Sequence, residues 1–500
     1  MPDALTVAEM LDAEKSAIDS GCSEAQLLQA AGESLGHRIH QLYTTSGTAI
    51  AYLGKGNNAA DSLVALKYLR DNHGWKIAYR AGFPLSKCNP LVREHVRALG
   101  DDKGLSQPVD PSQLSRPLLL LDGLLGTGSK GAPRPPLDAL VREIAKLRNE
   151  SGAKVIAIDL PSGVDADSGE VNDCAVLADL TLMIANAKVG LLKARCSSHV
   201  GALGLIALKA LEHGGNSGLE LIAPQCLSIG KSPRPHEIHK GTAGRVRLLV
   251  GSNAYPGAAA MASMGALRGG AGLVFVHVPT RILETVRKQS PPEVIISGYE
   301  KLAEVPVAEV DARVIGCGLG SVSKEDWKHL ESWITGSELP TVLDADGLNA
   351  IVAHQGHGLL SANHVITPHH GEFRRLAPDI SELDRETAAR EFSRCCLSTL
   401  LLKGHRSIIA QSTHSLRINS TGNAGMASGG QGDLLSGVIA AQLAAGLSPY
   451  DAASLGAWIC GRAAELALLA DPPQSEESLA ASDCSHWLGQ AWNDWKNGTR

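Results

Sequence analysis

Aromatic side chains are scarce, at 4% of 500 residues, so the chain lacks the stacking platforms on which single-stranded nucleic acid is bound. Positive charge is not in excess either. The 46 Lys and Arg against 52 Asp and Glu leave a formal charge of -6 with no basic run, which argues against nucleic acid or an acidic membrane as the main partner and leaves small molecules. No Cys-x-x-Cys pair occurs, and the ten cysteines are scattered without regular spacing, which speaks against a zinc site or a disulfide framework. The N-terminal stretch carries acids where a secretory signal carries a basic flank and an apolar core, so no export signal is read and a cytoplasmic protein is expected. Residues 434–447, the most apolar run, are interrupted by Ser436, Gly437, Gln442 and Gly446. That run falls short of the roughly 20 apolar residues a membrane span needs and reads as a buried helix.

What is present is ordinary for a folded enzyme: 44% hydrophobic and 20% charged residues, with 53 glycines. At roughly 150 residues per domain, the length suggests about two to four domains and excludes a single small module.

Short apolar runs at residues 49–53, 76–79, 118–121, 155–158 and 180–184 alternate with helical stretches, the pattern of β-α-β units in a parallel sheet. Met10, Ile18, Leu27 and Leu28 lie at helical spacing ahead of them, so helices are expected to precede the sheet. Between Leu211 and Lys240 Gly, Pro and Ser cluster and no long periodic element survives, which places a domain boundary there. Alternation then restarts, with strand candidates at 246–250, 273–278, 294–296, 314–315, 341–343, 365–366, 400–402, 408–410 and 416–418.

The first strand runs straight into Gly54-Lys55-Gly56-Asn57-Asn58-Ala59-Ala60-Asp61 and then a helix-like run. Such turns at strand ends let the backbone approach a ligand, and helix N-termini attract phosphate; the alternative is a tight loop in which Asn57 or Asn58 caps the helix. Two later strands end similarly, in polar segments 122–134 and 159–170. Asn58, Asp122, and Asp159 with Ser162 would then meet at one sheet edge, offering oxygen ligands for a hard cation and a carboxylate for proton transfer; otherwise these acids merely cap helices.

These three ordered motifs resemble, over residues 1 to about 215, the epimerase domain of the NAD(P)H-hydrate repair enzymes. The resemblance implies a Rossmann-like doubly wound domain that interconverts the R and S epimers of hydrated NADH or NADPH. It implies potassium ligands at Asn58, Asp122 and Ser162 and an acid/base role for the substrate-contacting Asp159. Substrate-binding turns are implied at Asn57, Asn58, Ala59, Ala60 and Asp61 and at Gly126, Thr127, Gly128, Ser129, Lys130, Gly131 and Ala132. The family pattern after the two asparagines is usually Gly-Gly-Asp-Gly, whereas Ala59, Ala60, Asp61 and Ser62 stand here. If a positive φ is required at either site, alanine costs about 1 kcal/mol or more; the first half could then be a degenerate nucleotide-binding module.

In the second half, residues 421–433 hold five glycines in thirteen residues and end at Asp433, where the apolar helix starts. Amides freed by such a loop, with the positive end of a helix dipole, suit a phosphate anion; the plain alternative makes Asp433 an N-cap. His239, Lys240 and Gly241 precede the first strand, Tyr255-Pro256-Gly257 opens its helix, and Gly316-Cys317-Gly318-Leu319-Gly320 follows another strand. The segments around Asp344 and Asp346, His369 and His370, and Lys403 each read singly as strand-end turns, surface histidines or a strand closure.

In this order the segments resemble the ribokinase-like fold and, within it, the ADP-dependent NAD(P)H-hydrate dehydratase domain, over about residues 225–500. The resemblance implies that ADP is held by Lys403, Gly404, His405, Arg406 and Ser407. It extends the nucleotide site to Asn423, Ala424, Gly425, Met426, Ala427, Ser428, Gly429, Gly430, Gln431 and Gly432. The hydrated nicotinamide nucleotide would lie on Gly320, His369, His370, Gly371, Glu372, Phe373, Arg374 and Arg375, with Asp433 as the catalytic residue. Family members often show Pro for His370 and His for Cys460.

The expectation is an α/β protein: a Rossmann-like doubly wound domain over residues 1–217 and a ribokinase-like α/β domain over 218–500. It would epimerise hydrated NADH or NADPH and dehydrate the S form using ADP, releasing AMP and phosphate, with K+ in the first domain and Mg2+ and ADP in the second. A homo-oligomer without nucleic-acid or membrane partners is expected. The competing reading of the second half is a ribokinase-type small-molecule kinase.

Overall fold

The computed structural model describes residues 3–100, 103–307, 310–336, 338–470 and 473–498. The chain divides into two compact units, one ending at Leu221 and the other beginning at Ile222.

The first unit opens with helices α1 (Val7–Asp19) and α2 (Glu24–Leu42), each started by a reciprocal cap, Thr6 with Glu9 and Ser23 with Gln26, which satisfies amide groups that a helix start leaves unpaired. Met10 and Leu28 are buried as their spacing predicts, but Ile18 is 48% exposed and contributes little to the core. Strands β1 (Thr48–Leu53), β2 (Lys76–Ala81), β3 (Leu118–Gly123), β4 (Lys154–Ile158), β5 (Leu180–Ile184) and β6 (Ala202–Ile206) form one sheet in the order β2-β1-β3-β4-β5-β6, and every pairing is parallel. The crossovers include α3 (Asn57–His73), α4 (Pro90–Leu99), α5 (Leu137–Ser151) and α6 (Ser197–Val200). β1 and β3 are buried along their whole length, as strands covered on both faces must be: α1 to α4 pack on one side and α5 on the other.

The second unit carries most of a ten-stranded sheet, whose strand β7 (Leu219–Ile222) runs across the division of the chain and whose others include β8 (Arg245–Leu249), β9 (Leu273–Pro279), β10 (Ile295–Tyr299), β11 (Ala312–Ile315), β12 (Thr341–Leu343) and β13 (His364–Ile366). It is completed by β14 (Thr399–Leu402), β15 (Ile408–Ala410) and β16 (Leu416–Asn419), in the order β10-β9-β8-β11-β12-β13-β14-β15-β16-β7. From β10 to β14 the strands run parallel, and β15 and β16 fold back antiparallel. Its helices are α7 (Pro256–Arg268), α8 (Leu283–Gln289), α9 (Lys324–Thr335), α10 (Asp346–Ala353), α11 (His370–Leu376), α12 (Arg385–Cys395), α13 (Gln431–Ala444), α14 (Pro449–Leu468) and α15 (Ala481–Asn497).

Helix α13 is buried at every position from Leu434 to Leu443; its apolar run belongs to a central helix. Backbone lies almost on backbone where it meets α7. A Cβ at Gly437 would stand 2.0 Å from the Ala262 carbonyl oxygen, and one at Gly265 would stand 2.1 Å from that of Leu434. Among the described residues no helix is long and apolar enough to cross a membrane.

Two strands were not legible in the sequence. β6 is broken by Gly204, and β7 is only four residues long inside the segment read as lacking periodic structure.

Candidate active sites

In the first unit the polar segments after β1, β3 and β4 gather at the carboxyl edge of the sheet. Neither asparagine caps α3: its N-cap is Gly56, without a side-chain bond. Asn57 is instead tied sideways, donating to Glu24 Oε1 at 3.0 Å and accepting from Asn89 Nδ2 at 2.8 Å. Asn58 reaches across the edge, its Nδ2 donating to the carbonyls of Ile158 at 2.7 Å and Leu125 at 3.2 Å.

Beside it, Asp122 is fully buried and receives Ser162 twice, from the amide at 2.8 Å and from the hydroxyl at 2.7 Å; the Leu124 amide adds a bond at 3.2 Å. Ser162 Oγ in turn accepts the Leu125 amide at 3.0 Å. Burial lifts the Asp122 carboxyl to about 6, against the pull of these hydrogen bonds. Asp122 and Ser162 thus form a buried oxygen-rich pair, to which the half-buried Asn58 is joined through Leu125, and neither Asp122 nor Asp159 serves as a helix cap.

Ala59 and Ala60 occupy the first turn of α3 without positive φ and are buried in the apolar cluster. The strain that their substitution for glycine could have brought is therefore absent. Ser62 bonds back to the Asn58 carbonyl at 2.7 Å, and a Cβ on Gly123 would lie 2.3 Å from Ser62 Oγ, so this turn admits only glycine at 123. The Gly126 to Ala132 loop is largely exposed; Gly128 and Gly131 face open space, while a Cβ on Gly126 would stand 2.9 Å from Asn58 Oδ1.

Asp159 follows β4 with φ +70, a left-handed conformation that aspartate tolerates better than most residues. Its Oδ1 accepts the Ile184 amide at 2.8 Å and an ion pair from Lys188 Nζ, whose side chain is wholly buried and also donates to the Ile184 carbonyl at 2.7 Å. Asp61, buried nearby, is pushed well above the ordinary carboxylate range by burial and then by Asp159 and Glu14; Glu14 on α1 is raised by burial as well. Sequence reasoning missed Lys188. The available signal was a lone lysine in the otherwise uncharged run IANAKVGLL.

In the second unit the loop after β16 reaches α13 through Gly430, the N-cap, with φ +87. Asp433 is the third residue of the helix and is not a cap; its carboxyl is lifted to about 7, first by burial and then by the Asp344 charge. Asp344 is buried, accepting Lys403 Nζ at 2.7 Å on Oδ1 and Ser436 Oγ at 2.9 Å on Oδ2. Burial opposes its ionisation, but Lys403 and the hydrogen bonds outweigh that and hold it below the usual range. Lys403 stays charged for the converse reason: desolvation is overcome by Asp344 and Glu372, the latter 3.9 Å away. A Cβ on Gly432 would stand 3.2 Å from Lys403 Nζ and 3.4 Å from Asp344 Oδ2, so the start of α13 rests directly on this ion pair. Cys317 is buried against Asp433 and Asp344, and burial drives its thiol far above the normal range.

Around this centre, Gly320 donates to Asp346 Oδ2 at 2.8 Å, and Ala345, between the two aspartates, has φ +49, strain of the kind found at functional edges. His369 caps α11, its Nδ1 accepting the Gly371 and Glu372 amides while Glu372 accepts the His369 amide. His370 and Arg374 are exposed, and Arg375 donates to Asn349 Oδ1 at 2.9 Å. Phe373 turns into the core, its ring 5.7 Å from Phe392. Gly404, His405, Arg406 and Ser407 form the β14–β15 turn, which Arg385 braces through the His405 carbonyl at 2.7 Å. In the glycine loop, Asn423 Oδ1 accepts the Gly425 amide at 3.0 Å, whereas Asn423 Nδ2 and Gln431 Oε1 are buried without a partner among the described residues and Gly429 faces open space. Ala424, Met426, Ala427 and Ser428 line the same loop, with Ala424 and Ala427 exposed.

Polar strand-end loops on two largely parallel-sheet units, one with a glycine loop delivering an aspartate beside a Lys–Asp pair, define a two-unit α/β enzyme of small molecules. The family described as NAD(P)H-hydrate dehydratase matches residues 246–483, and that described as YjeF-related protein N-terminus matches residues 24–190. The bifunctional NAD(P)H-hydrate repair enzyme of Coxiella burnetii is 32% identical over 493 residues, 95% of this chain and 96% of its own length. That of Hyperthermus butylicus is 30% identical over 498 residues, 95% of this chain and 89% of its own length. Among solved structures, a ribokinase-like superfamily protein from Enterococcus faecalis is similar with a TM-score of 0.50 at 25% identity, covering 57% of this chain and 99% of that one. The chain belongs to the family of bifunctional NAD(P)H-hydrate repair enzymes.

Proposed function

We propose that the second unit dehydrates the S epimer of hydrated NADH or NADPH at the expense of ADP, and that the first unit interconverts the R and S epimers. The observation that carries the first claim is Asp433 on the first turn of α13, lifted to about 7 beside the Asp344–Lys403 pair.

Hydroxide leaves a saturated carbon poorly, so phosphorylating the hydroxyl first turns it into a better leaving group. Asp433 takes the hydroxyl proton as the oxygen attacks the terminal phosphorus of ADP, and AMP departs; a base with a pKa near the working pH is suited to this. The ring-nitrogen lone pair then expels phosphate, and loss of a proton from the adjacent ring carbon, which the departing phosphate can accept, restores the dihydronicotinamide. Free loop amides and Lys403 compensate the charge on the phosphate oxygens. The unpartnered Asn423 Nδ2 and Gln431 Oε1 and the open Gly429 fit a bound nucleotide. Mg2+ would enter with the phosphates, which together with water are its usual ligands, and would neutralise charge on the transferred group.

In the first unit the buried oxygens of Asp122 and Ser162 and the carbonyls of Leu125 and Ile158 fit K+, and Asn58, whose Nδ2 now donates to those two carbonyls, would add Oδ1 once its amide is turned over. Such an ion would order the turns that hold substrate. Asp159 serves one face of the ring: its carboxylate takes the proton of the water that adds there after the ring-nitrogen lone pair has expelled the hydroxyl from the opposite face, that hydroxyl leaving as water with a proton from solvent. The reverse reaction returns the proton to the hydroxyl leaving from its own face, so the carbon is inverted in either direction. One assay tests both claims: the separated R and S epimers are incubated with ADP, ATP or no nucleotide. Recovery of dihydronicotinamide absorbance from both epimers with ADP is expected; a lasting phosphorylated product would favour a kinase, and an untouched R epimer would remove the epimerase.

A further inference from the structure

We propose that Lys188 is a positioning residue of the first unit: its buried ammonium fixes Asp159 as an oriented carboxylate and leaves Oδ2 for the substrate. The inference rests on the epimerase reading above.

A lysine with a wholly buried side chain is rare unless it is paired. Here the ammonium has two partners, Asp159 Oδ1 and the Ile184 carbonyl at 2.7 Å, and Asp159 Oδ1 also receives the Ile184 amide at 2.8 Å. One carboxylate oxygen is therefore fully engaged, whereas Oδ2 accepts no hydrogen bond from the described residues. Desolvation makes such a pair weak as a source of stability, and an apolar pair of similar volume is often as stable. What the pair supplies instead is direction, at a residue whose backbone already sits at φ +70.

The surroundings add a second reason. Lys188 is placed by the N-terminal segment, where the Val189 amide donates to the Leu5 carbonyl at 3.1 Å. That segment leads into α1, so the start of the chain, the strand end after β4 and the turn after β5 together hold the lysine on Asp159.

The test uses the full chain with separated epimers, and dehydration of the S epimer serves as an internal control in every variant. Lys188→Met should lower kcat for epimerisation at least tenfold with KM changed less than about threefold. Lys188→Gln keeps a neutral donor at nearly the same length and remains informative if Lys188→Met folds poorly; its kcat for epimerisation should also fall with KM little changed. Lys188→Arg, which keeps a cation there, should restore kcat in part. A kcat within threefold of wild type in Lys188→Gln, or a KM that rises in step with the loss of kcat, would overturn the proposal, making Lys188 a structural residue only. If wild-type protein leaves the R epimer at its uncatalysed rate while still dehydrating the S epimer, the epimerase reading itself falls and the inference falls with it.

Discussion

Replacing Asp433 by Asn should make the second unit more stable while abolishing dehydration. The carboxyl stands at about 7 in the folded protein against 3.8 for an ordinary aspartate, so the folded state binds a proton more tightly than the unfolded state across that window. Stability therefore falls as pH rises from about 4 to 7 and is flat above. A pKa unit corresponds to about 1.4 kcal/mol, so roughly three units bound the effect near 4 kcal/mol, and partial solvent access makes about 2 to 4 kcal/mol the expected range. The neutral amide of Asp433→Asn removes the penalty. At pH 8 the thermal transition of the second unit should rise by several degrees, at about 2–4 °C per kcal/mol; at pH 4 wild type and variant should melt together. Melts followed by calorimetry, with the two units resolved as separate transitions, check this. In parallel, kcat/KM for dehydration by wild type should fall about tenfold per unit below pH 7, as the basic form is titrated away. A lower melting temperature for the variant at pH 8, or dehydration within threefold of wild type, would refute both the burial argument and the role of Asp433.

Lys403→Met strands the Asp344 carboxylate, which is buried and held below the usual range chiefly by that lysine; a loss of about 3–5 kcal/mol is expected at pH 8. The deficit should shrink as acid protonates Asp344, so parallel denaturant titrations at pH 8 and pH 4 should differ. Gly123→Ala would press a methyl group against Ser62 Oγ, 2.3 Å from its built position; epimerisation should drop at least tenfold while S-epimer dehydration is unchanged. Ala60→Gly, in contrast, should cost about 1 kcal/mol of stability with little change in epimerisation, because residue 60 is helical core; gain of activity in a rate assay would contradict that assignment. Asn58→Ala should abolish any dependence of epimerisation on K+, measured against Na+ at equal ionic strength.

Much of this architecture was legible because both sheets are largely parallel with buried central strands, which appear as compact apolar runs; β5, β12 and β15 were bounded to the residue. The strands that escaped, β6 and β7, are short and interrupted or flanked by glycine, where pattern fails. At the sites, glycine turns and strand-end acids were readable because they are local in sequence. What could not be read was pairing at a distance: Lys403 with Asp344, 59 residues apart, and Lys188 with Asp159, 29 residues apart. Nor could spacing tell that Phe373 points into the core or that Asp433 lies past the cap. Those outcomes depend on helix phase and on which strand ends adjoin, which only tertiary packing decides.

The crossing of α7 and α13 at Gly265 and Gly437 has a consequence for how the larger site can evolve and move. With main chain resting on main chain, the height of Asp433 above the sheet is set by covalent geometry rather than by any side chain that could repack. The start of α13 is therefore fixed by the crossing itself, and adjustment around it falls to the loops that join the other elements. Drift at either glycine is closed off, since the smallest possible addition would lift the aspartate away from its lysine-held neighbour.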